Sequence, residues 1–306
     1  MANPAELVLG SVQLGLAYGA ANRTGKPSRH AALRLVRRAA QSGITKFDTA
    51  RAYGDSEERL GEALDKRARA ITKLSPLSEL AHDASREDVV AAVDASLAQS
   101  LAALRRDRID CLLLHRASHM SAWDGAVWNR LIEKLEDGTV LALGVSVQSP
   151  AEALEALARP DVRHIQLPFN ILDWRWREAG VIDDIAERPH VTIHARSVFL
   201  QGILAAEDPA VWPSVEGVDA GAVLTELARI AEDFGRESVA DLCLAYARGQ
   251  NWIDGVVVGM ETERQLDDNL RLFVRPPLAV EDCDAIARRV PRVPSQLLNP
   301  ALWPLR

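Results

Sequence analysis

Short apolar runs recur along the chain, separated by stretches with helical spacing. Eight of them predict strands, at residues 7–11, 44–48, 70–73, 109–115, 140–146, 164–169, 191–195 and 255–259. Several are apolar almost throughout, as in CLLL, VLALGV and GVVVG. That is the pattern of strands covered on both faces, unlike the alternation of a half-exposed sheet. Between the runs, apolar residues return every three or four positions, as with Ala31, Leu33, Leu35 and Val36, or Val89, Val93, Leu97, Leu101 and Leu104. These predict amphipathic helices. Eight alternations with right-handed crossovers predict an α/β fold closed into a (β/α)8 TIM barrel, with residues 1–306 forming a single domain. Three segments depart from the alternation: 116–125, 201–220 and a proline-rich C-terminal tail at 275–306. We read the first two as extended rim loops. Trp123, Trp174, Trp176, Trp212 and Trp303 fall in or near such stretches, where an indole either packs a loop down or reaches a pocket.

Composition narrows the class. A formal net charge of −7 leaves no basic stripe of the kind that neutralises phosphates, so nucleic acid is not an expected partner. Cys111, Cys243 and Cys283 are odd in number and widely spaced, which suits a reducing compartment better than a disulfide framework. The first residues lack the charged start and apolar core of a leader, and no run approaches the length of a bilayer span. A cytoplasmic protein is expected.

The candidate chemistry lies at strand ends, where barrels of this kind carry it. ITKFDTARAYG delivers Asp48 and Tyr53, AITKLS delivers Lys73, and DCLLLHRAS delivers His115. A phenol titrates near 10, and a nearby ammonium lowers that value by stabilising the phenolate. Lys73 can supply the ammonium, and Asp48 can hold Lys73. An imidazole across from them can hydrogen-bond a carbonyl oxygen, so the group suits protonating an alkoxide while hydride arrives at carbon. Singly, each residue has an ordinary explanation: a helix cap, loop packing, a solvated lysine, a core histidine. Their order after successive strands favours the catalytic reading.

DTARAYGDSEERLGEAL resembles the signature of the aldo-keto reductase family through Asp48, Tyr53, Gly54, Ser56, Glu57, Leu60 and Gly61. The resemblance extends over nearly the whole chain, and Lys73 and His115 complete that family's tetrad. It implies an NAD(P)(H)-dependent oxidoreductase that reduces an aldehyde or ketone reversibly to an alcohol. It also implies Tyr53 as general acid, Lys73 and Asp48 behind it, and His115 at the carbonyl oxygen. Ser146 and Gln166 would meet the nicotinamide carboxamide, although Val147 stands where the family usually has asparagine. Arg196 takes the position of the aromatic residue that stacks on the nicotinamide, and a planar guanidinium can also stack. Ser197, Leu200 and Gly202 would line the pyrophosphate path. VVVGMETERQLDDNL is similar to the family's adenosine loop, in which Gly259, Glu261 and Thr262 would wrap the ribose and Gln265, Asp268 and Asn269 the adenine side. Many relatives carry cations at the positions of Gly259 and Gln265 to bind a 2'-phosphate. The family prior is NADP(H), with NAD(H) the alternative: Glu261 could serve a ribose hydroxyl, while Arg264 could restore a phosphate contact.

Other classes fit less well. GAANRTGK has one residue too many for a phosphate-binding loop, no G-x-G-x-x-G occurs, and neither HxxxH pair carries the glutamate of the zinc motif, so no metal is expected. A nicotinamide-binding regulatory or interaction protein on the same barrel is the alternative function, and a lyase using Lys73 as a Schiff base is a third. Arg51, Arg116 and Arg175 near the rim would favour a polar or anionic carbonyl, such as a sugar derivative, unless salt bridges occupy them.

Overall fold

The eight apolar runs form parallel strands β1 (Glu6–Gly10), β2 (Lys46–Asp48), β3 (Arg69–Lys73), β4 (Cys111–Leu114), β5 (Leu143–Ser146), β6 (Val162–Pro168), β7 (Thr192–Arg196) and β8 (Gly255–Gly259). They close in sequence order, with β8 pairing β1 from Glu6 opposite Gly255 to Gly10 opposite Gly259. The computed structural model describes residues 5–206 and 208–304. Among the described residues no helix is long and apolar enough to cross a membrane.

Helices cover the barrel because their apolar faces match the outward face of the strands. The helix Arg29–Gln41 buries Ala32, Leu33, Leu35, Val36 and Ala39, and its N-cap Ser28 accepts from the Ala31 amide. Arg86–Leu104 buries Val89, Val93, Leu97 and Leu104. The apolar core therefore splits in two. A large cluster fills the layer between strands and helices, while Ile71, Cys111 and Leu113 form a small one inside the barrel.

Apart from Val8 and Val257, the interior away from that cluster carries polar side chains. Glu6 and Lys46 pair at the N-terminal end of the barrel. Above them the rings of His164 and His194 meet edge to face at 4.3 Å between centroids. Bare backbone makes room for them: a Cβ on Gly255 would lie 2.8 Å from the His194 ring, and one on Gly144 2.1 Å from the His164 carbonyl oxygen. Burial pushes the His164 pKa down to about 3, and burial also holds His194 well below the imidazole range. Both rings are neutral at pH 7.

The structure differs from the sequence pattern at a few edges. β4 starts at Cys111, because the Asp110 carboxylate accepts from the Ala70 amide at 3.1 Å and takes the place of a ladder bond; Ile109 keeps one bridge to Val140. The 116–125 loop winds into two short 3-10 turns, Ala117–Met120 and Trp123–Gly125. The tail contains a helix, Val280–Arg289. None of the five loop tryptophans lines the central cavity. Each indole N–H donates to a nearby acceptor, as Trp123 to the Ala81 carbonyl (2.9 Å) and Trp303 to the Leu297 carbonyl (2.9 Å), so they pin loops to the barrel.

Candidate active site

The C-terminal rim surrounds an open cavity of about 890 Å³. Asp48 and Lys73 end β2 and β3, and His115 follows β4 directly. Lys73, 1 % exposed, donates to Asp48 Oδ1 (2.9 Å), Asp48 Oδ2 (2.7 Å) and the Thr49 carbonyl oxygen (2.9 Å). An ammonium has three protons, and all three are used. Burial works against the charge on Lys73, but Asp48 and Tyr53 outweigh it and hold its pKa above the ordinary lysine value. The ammonium sits 5.0 Å from the centroid of the Tyr53 ring, and the His115 ring meets Tyr53 edge to face at 5.8 Å.

The loop carrying Tyr53 is fixed by its neighbours. Gly54 turns the chain at φ +57°, and Gly15, just past β1, passes so close that an added Cβ would lie 1.8 Å from the Tyr53 carbonyl oxygen. Buried hydroxyls lock the same corner: Ser11 donates to the Asp48 carbonyl (2.7 Å), and Ser56 meets Ser11 Oγ (2.6 Å) and Thr49 Oγ1 (3.1 Å). Glu57, fully buried, accepts from Thr72 Oγ1 at 2.6 Å and pairs with Arg51. Ser56 and Glu57 hold the loop and do not face the cavity.

Burial, with Lys73, Arg196 and Arg116 adding to it, pushes the His115 pKa down to about 3. The ring is therefore neutral at pH 7. Its Nδ1 is buried without a partner. A buried orphan donor costs a full desolvation penalty, so the proton is better carried by Nε2, the nitrogen open to the cavity.

Ser146, Arg196, Ser197, Gly202, Gly259, Glu261, Gln265, Asp268 and Asn269 all line the same cavity as Asp48, Tyr53 and His115. Three others stand apart from its surface. Gln166, fully buried, donates to Asp48 Oδ2 at 2.7 Å and leaves its Oε1 unpartnered beneath the tetrad. Leu200 is fully buried within the loop after β7, at φ +45°. Thr262 caps the helix Glu263–Val274, whose capping box also engages Gln265 Oε1 with the amides of Glu261 (2.8 Å) and Thr262 (3.2 Å). The Arg196 guanidinium donates to the Val147 carbonyl (3.1 Å) and to Gln148 Oε1 (2.8 Å), which fixes its plane at the end of β7.

Sequence reasoning missed Gln13, Tyr18 and Asn22 after β1, Gln148 and Glu152 after β5, and Phe199 and Gln201 after β7. Position after a strand end was the one signal that could have found them. Of the rim arginines, Arg51 pairs with Glu57 and Arg175 with Asp173 (2.7 Å), while Arg116 lines the cavity and donates to Ser78 Oγ at 3.1 Å.

A comparison with family models finds the Aldo/keto reductase family over residues 6–289. The chain belongs to the aldo/keto reductase family. Solved structures agree with this fold. An aldo-keto reductase from Bacillus halodurans, in holo form, is 21% identical over 97% of this chain and 96% of its own, with a TM-score of 0.74. A putative aldo-keto reductase from Pseudomonas aeruginosa is 22% identical over 88% and 89%, with a TM-score of 0.62. At such identities the likeness speaks for the fold alone. No curated protein matches the chain at a significant level. Family membership makes the protein an oxidoreductase of carbonyl compounds, of a kind that uses nicotinamide cofactors.

The residues present fit such a cofactor. Gln13, which lines the cavity, carries a buried Oε1 without a partner, and the unpartnered Gln166 Oε1 lies just beneath the tetrad. Gly259 lets the Gln13 amide lie flat against the end of β8, since an added Cβ would lie 2.2 Å from Gln13 Oε1. Among the described residues no three His, Cys, Asp or Glu side chains converge as metal ligands.

Proposed function

We propose that this aldo/keto reductase interconverts a polar aldehyde or ketone and its alcohol, with Tyr53 giving the proton in reduction and taking it in oxidation. One observation carries the reading: a buried Lys73 ammonium, its three protons all donated to Asp48 and Thr49, lies 5.0 Å from the Tyr53 ring. Because those protons are engaged, Lys73 acts as a fixed charge and not as a proton relay. It stabilises the phenolate left when the Tyr53 proton moves to the carbonyl oxygen. A neutral His115 donates from Nε2 to the same oxygen, polarising the carbonyl and orienting it. Asp48 holds Lys73 charged and in place. A nicotinamide cofactor, when bound, supplies the hydride in reduction and takes it in oxidation. Ser146, Arg196, Ser197 and Gly202 would hold its nicotinamide and phosphate parts, and the residues after β8 its adenosine.

The engaged, charged state of Lys73 argues against a Schiff-base lyase, which needs a free neutral amine. Arg116 and Ser118 on the wall beside His115 suit a polar carbonyl such as a sugar derivative. The test is Tyr53→Phe, followed by cofactor absorbance over a carbonyl panel. Loss of the proton donor should lower kcat by about 10²- to 10⁴-fold while cofactor affinity stays within about twofold. Wild-type turnover in the variant would refute the assignment.

A further inference from the structure

We propose that the β8 side of the cavity selects NAD(H) over NADP(H), with Glu261 as the discriminating carboxylate. This rests on the oxidoreductase reading above. The two cations lining the cavity, Arg116 and Arg196, both stand near His115, after β4 and at the end of β7. Since the nicotinamide must reach the tetrad, the opposite end of the dinucleotide meets the far wall. That wall, after β8, carries Glu261 and Asp268, and among the described residues no cation lines it.

The Glu261 carboxylate forms no hydrogen bond or ion pair with the described residues; its backbone amide is engaged, with Gln265 Oε1. Asp268 forms no hydrogen bond with the described residues; it lies 3.9 Å from Arg264, whose side chain is 93 % exposed, and also feels the charge of Arg271, and neither arginine lines the cavity. Arg236 lines an adjoining cavity, but its guanidinium donates to the Pro276 carbonyl at 2.9 Å and faces Asp241 at 3.6 Å. A second feature points to an occupant. Asn269 is 8 % exposed and lines the same wall, and its side-chain amide makes no hydrogen bond with the described residues. A ribose 2'-hydroxyl can donate to a free carboxylate, whereas a 2'-phosphate would bring a second negative group against Glu261 and Asp268 on a wall where, among the described residues, the nearest cations, Arg264 and Arg271, do not line the cavity.

The experiment is a titration of the full chain with NADH and with NADPH, followed by tryptophan fluorescence quenching at low and high salt. NADH should bind at least about tenfold tighter than NADPH, and the ratio should shrink at high salt as screening weakens the repulsion. Glu261→Gln should reduce the ratio several-fold, and Glu261→Arg should bring NADPH affinity level with NADH or above it. Equal or tighter NADPH binding by the wild type would overturn the selectivity and leave the oxidoreductase reading intact. An unchanged ratio in Glu261→Gln would overturn the role of Glu261. Binding of neither nucleotide would overturn the oxidoreductase reading and this inference with it.

Discussion

Asp48→Asn tests the centre of the site, because it changes charge and almost nothing else. In the wild type Asp48 Oδ2 accepts from both Lys73 (2.7 Å) and Gln166 Nε2 (2.7 Å), and Oδ1 accepts from Lys73 at 2.9 Å. An asparagine must turn its NH2 toward one of these donors. Gln166 can adapt, since its unpartnered Oε1 can flip round to accept. Lys73 cannot, and its ammonium, 1 % exposed, is left with no counter-ion. Breaking a buried pair in this way costs about 3–5 kcal/mol, a large part of the roughly 5–15 kcal/mol that stabilises a folded domain.

The pH dependence follows from the sign of the shift. In the wild type the Lys73 pKa is raised, so its stabilisation is complete below the unfolded value near 10.4 and is lost as pH rises through the folded value. In the variant the folded value falls below the unfolded one. The unfolded chain then binds more protons in the interval between, and the variant gains stability as pH rises through it. Urea unfolding near pH 7 and about pH 9.5 should therefore show the gap to wild type narrowing at the higher pH. Lys73→Met added to Asp48→Asn should recover part of the loss, with a coupling energy above about 1 kcal/mol in the double-mutant cycle. A variant within about 0.5 kcal/mol of wild type at both pH values would refute the buried-pair argument.

Two further outcomes are expected. His115, His164 and His194 are held neutral in the fold, two of them at about 3, while an unfolded histidine titrates near 6.5. Stability should rise with pH across that window and fall on acidification, by about 1 kcal/mol for each ring between pH 6.5 and 5.5, or about 3 kcal/mol together; a Tm that stays flat from neutral to mildly acid pH would contradict this. Gly61→Ala should lower stability by about 1–3 kcal/mol with kcat little changed, read by thermal unfolding beside an activity assay. Its Cβ would lie 2.2 Å from the Ala103 carbonyl oxygen, a contact between two helix backbones that no rotamer relieves, and a wild-type Tm would show that the helices separate freely.

The signature DTARAYGDSEERLGEAL shows how far a motif can be read. It located Asp48 and Tyr53, but it could not say that Ser56 and Glu57 act through Ser11, Thr49, Thr72 and Arg51 to hold the corner. Nor did it reveal Gly15, which carries no local signal because its only requirement is the closeness of the Tyr53 backbone from another strand's loop. Gln166 was expected at the cofactor and lies two residues short of the end of β6, where the barrel interior closes over it. A strand tells which face a residue takes, but its depth along the barrel axis depends on how all eight strands are staggered.

The apolar runs and their period determined the eight strands, the intervening helices and thus the barrel, because covered parallel strands and amphipathic helices are local patterns that propensity and hydrophobic burial enforce. The order of Asp48, Tyr53, Lys73 and His115 after successive strands likewise determined which groups share the rim. Closure of the barrel decided what those groups are. It buried Lys73 against Asp48 and forced His115 to be neutral, and it left the carboxylates of Glu261 and Asp268 on a cavity wall that, among the described residues, no cation lines. Charge state and field depend on distances and burial summed over elements far apart in the chain, and no sequence window contains them.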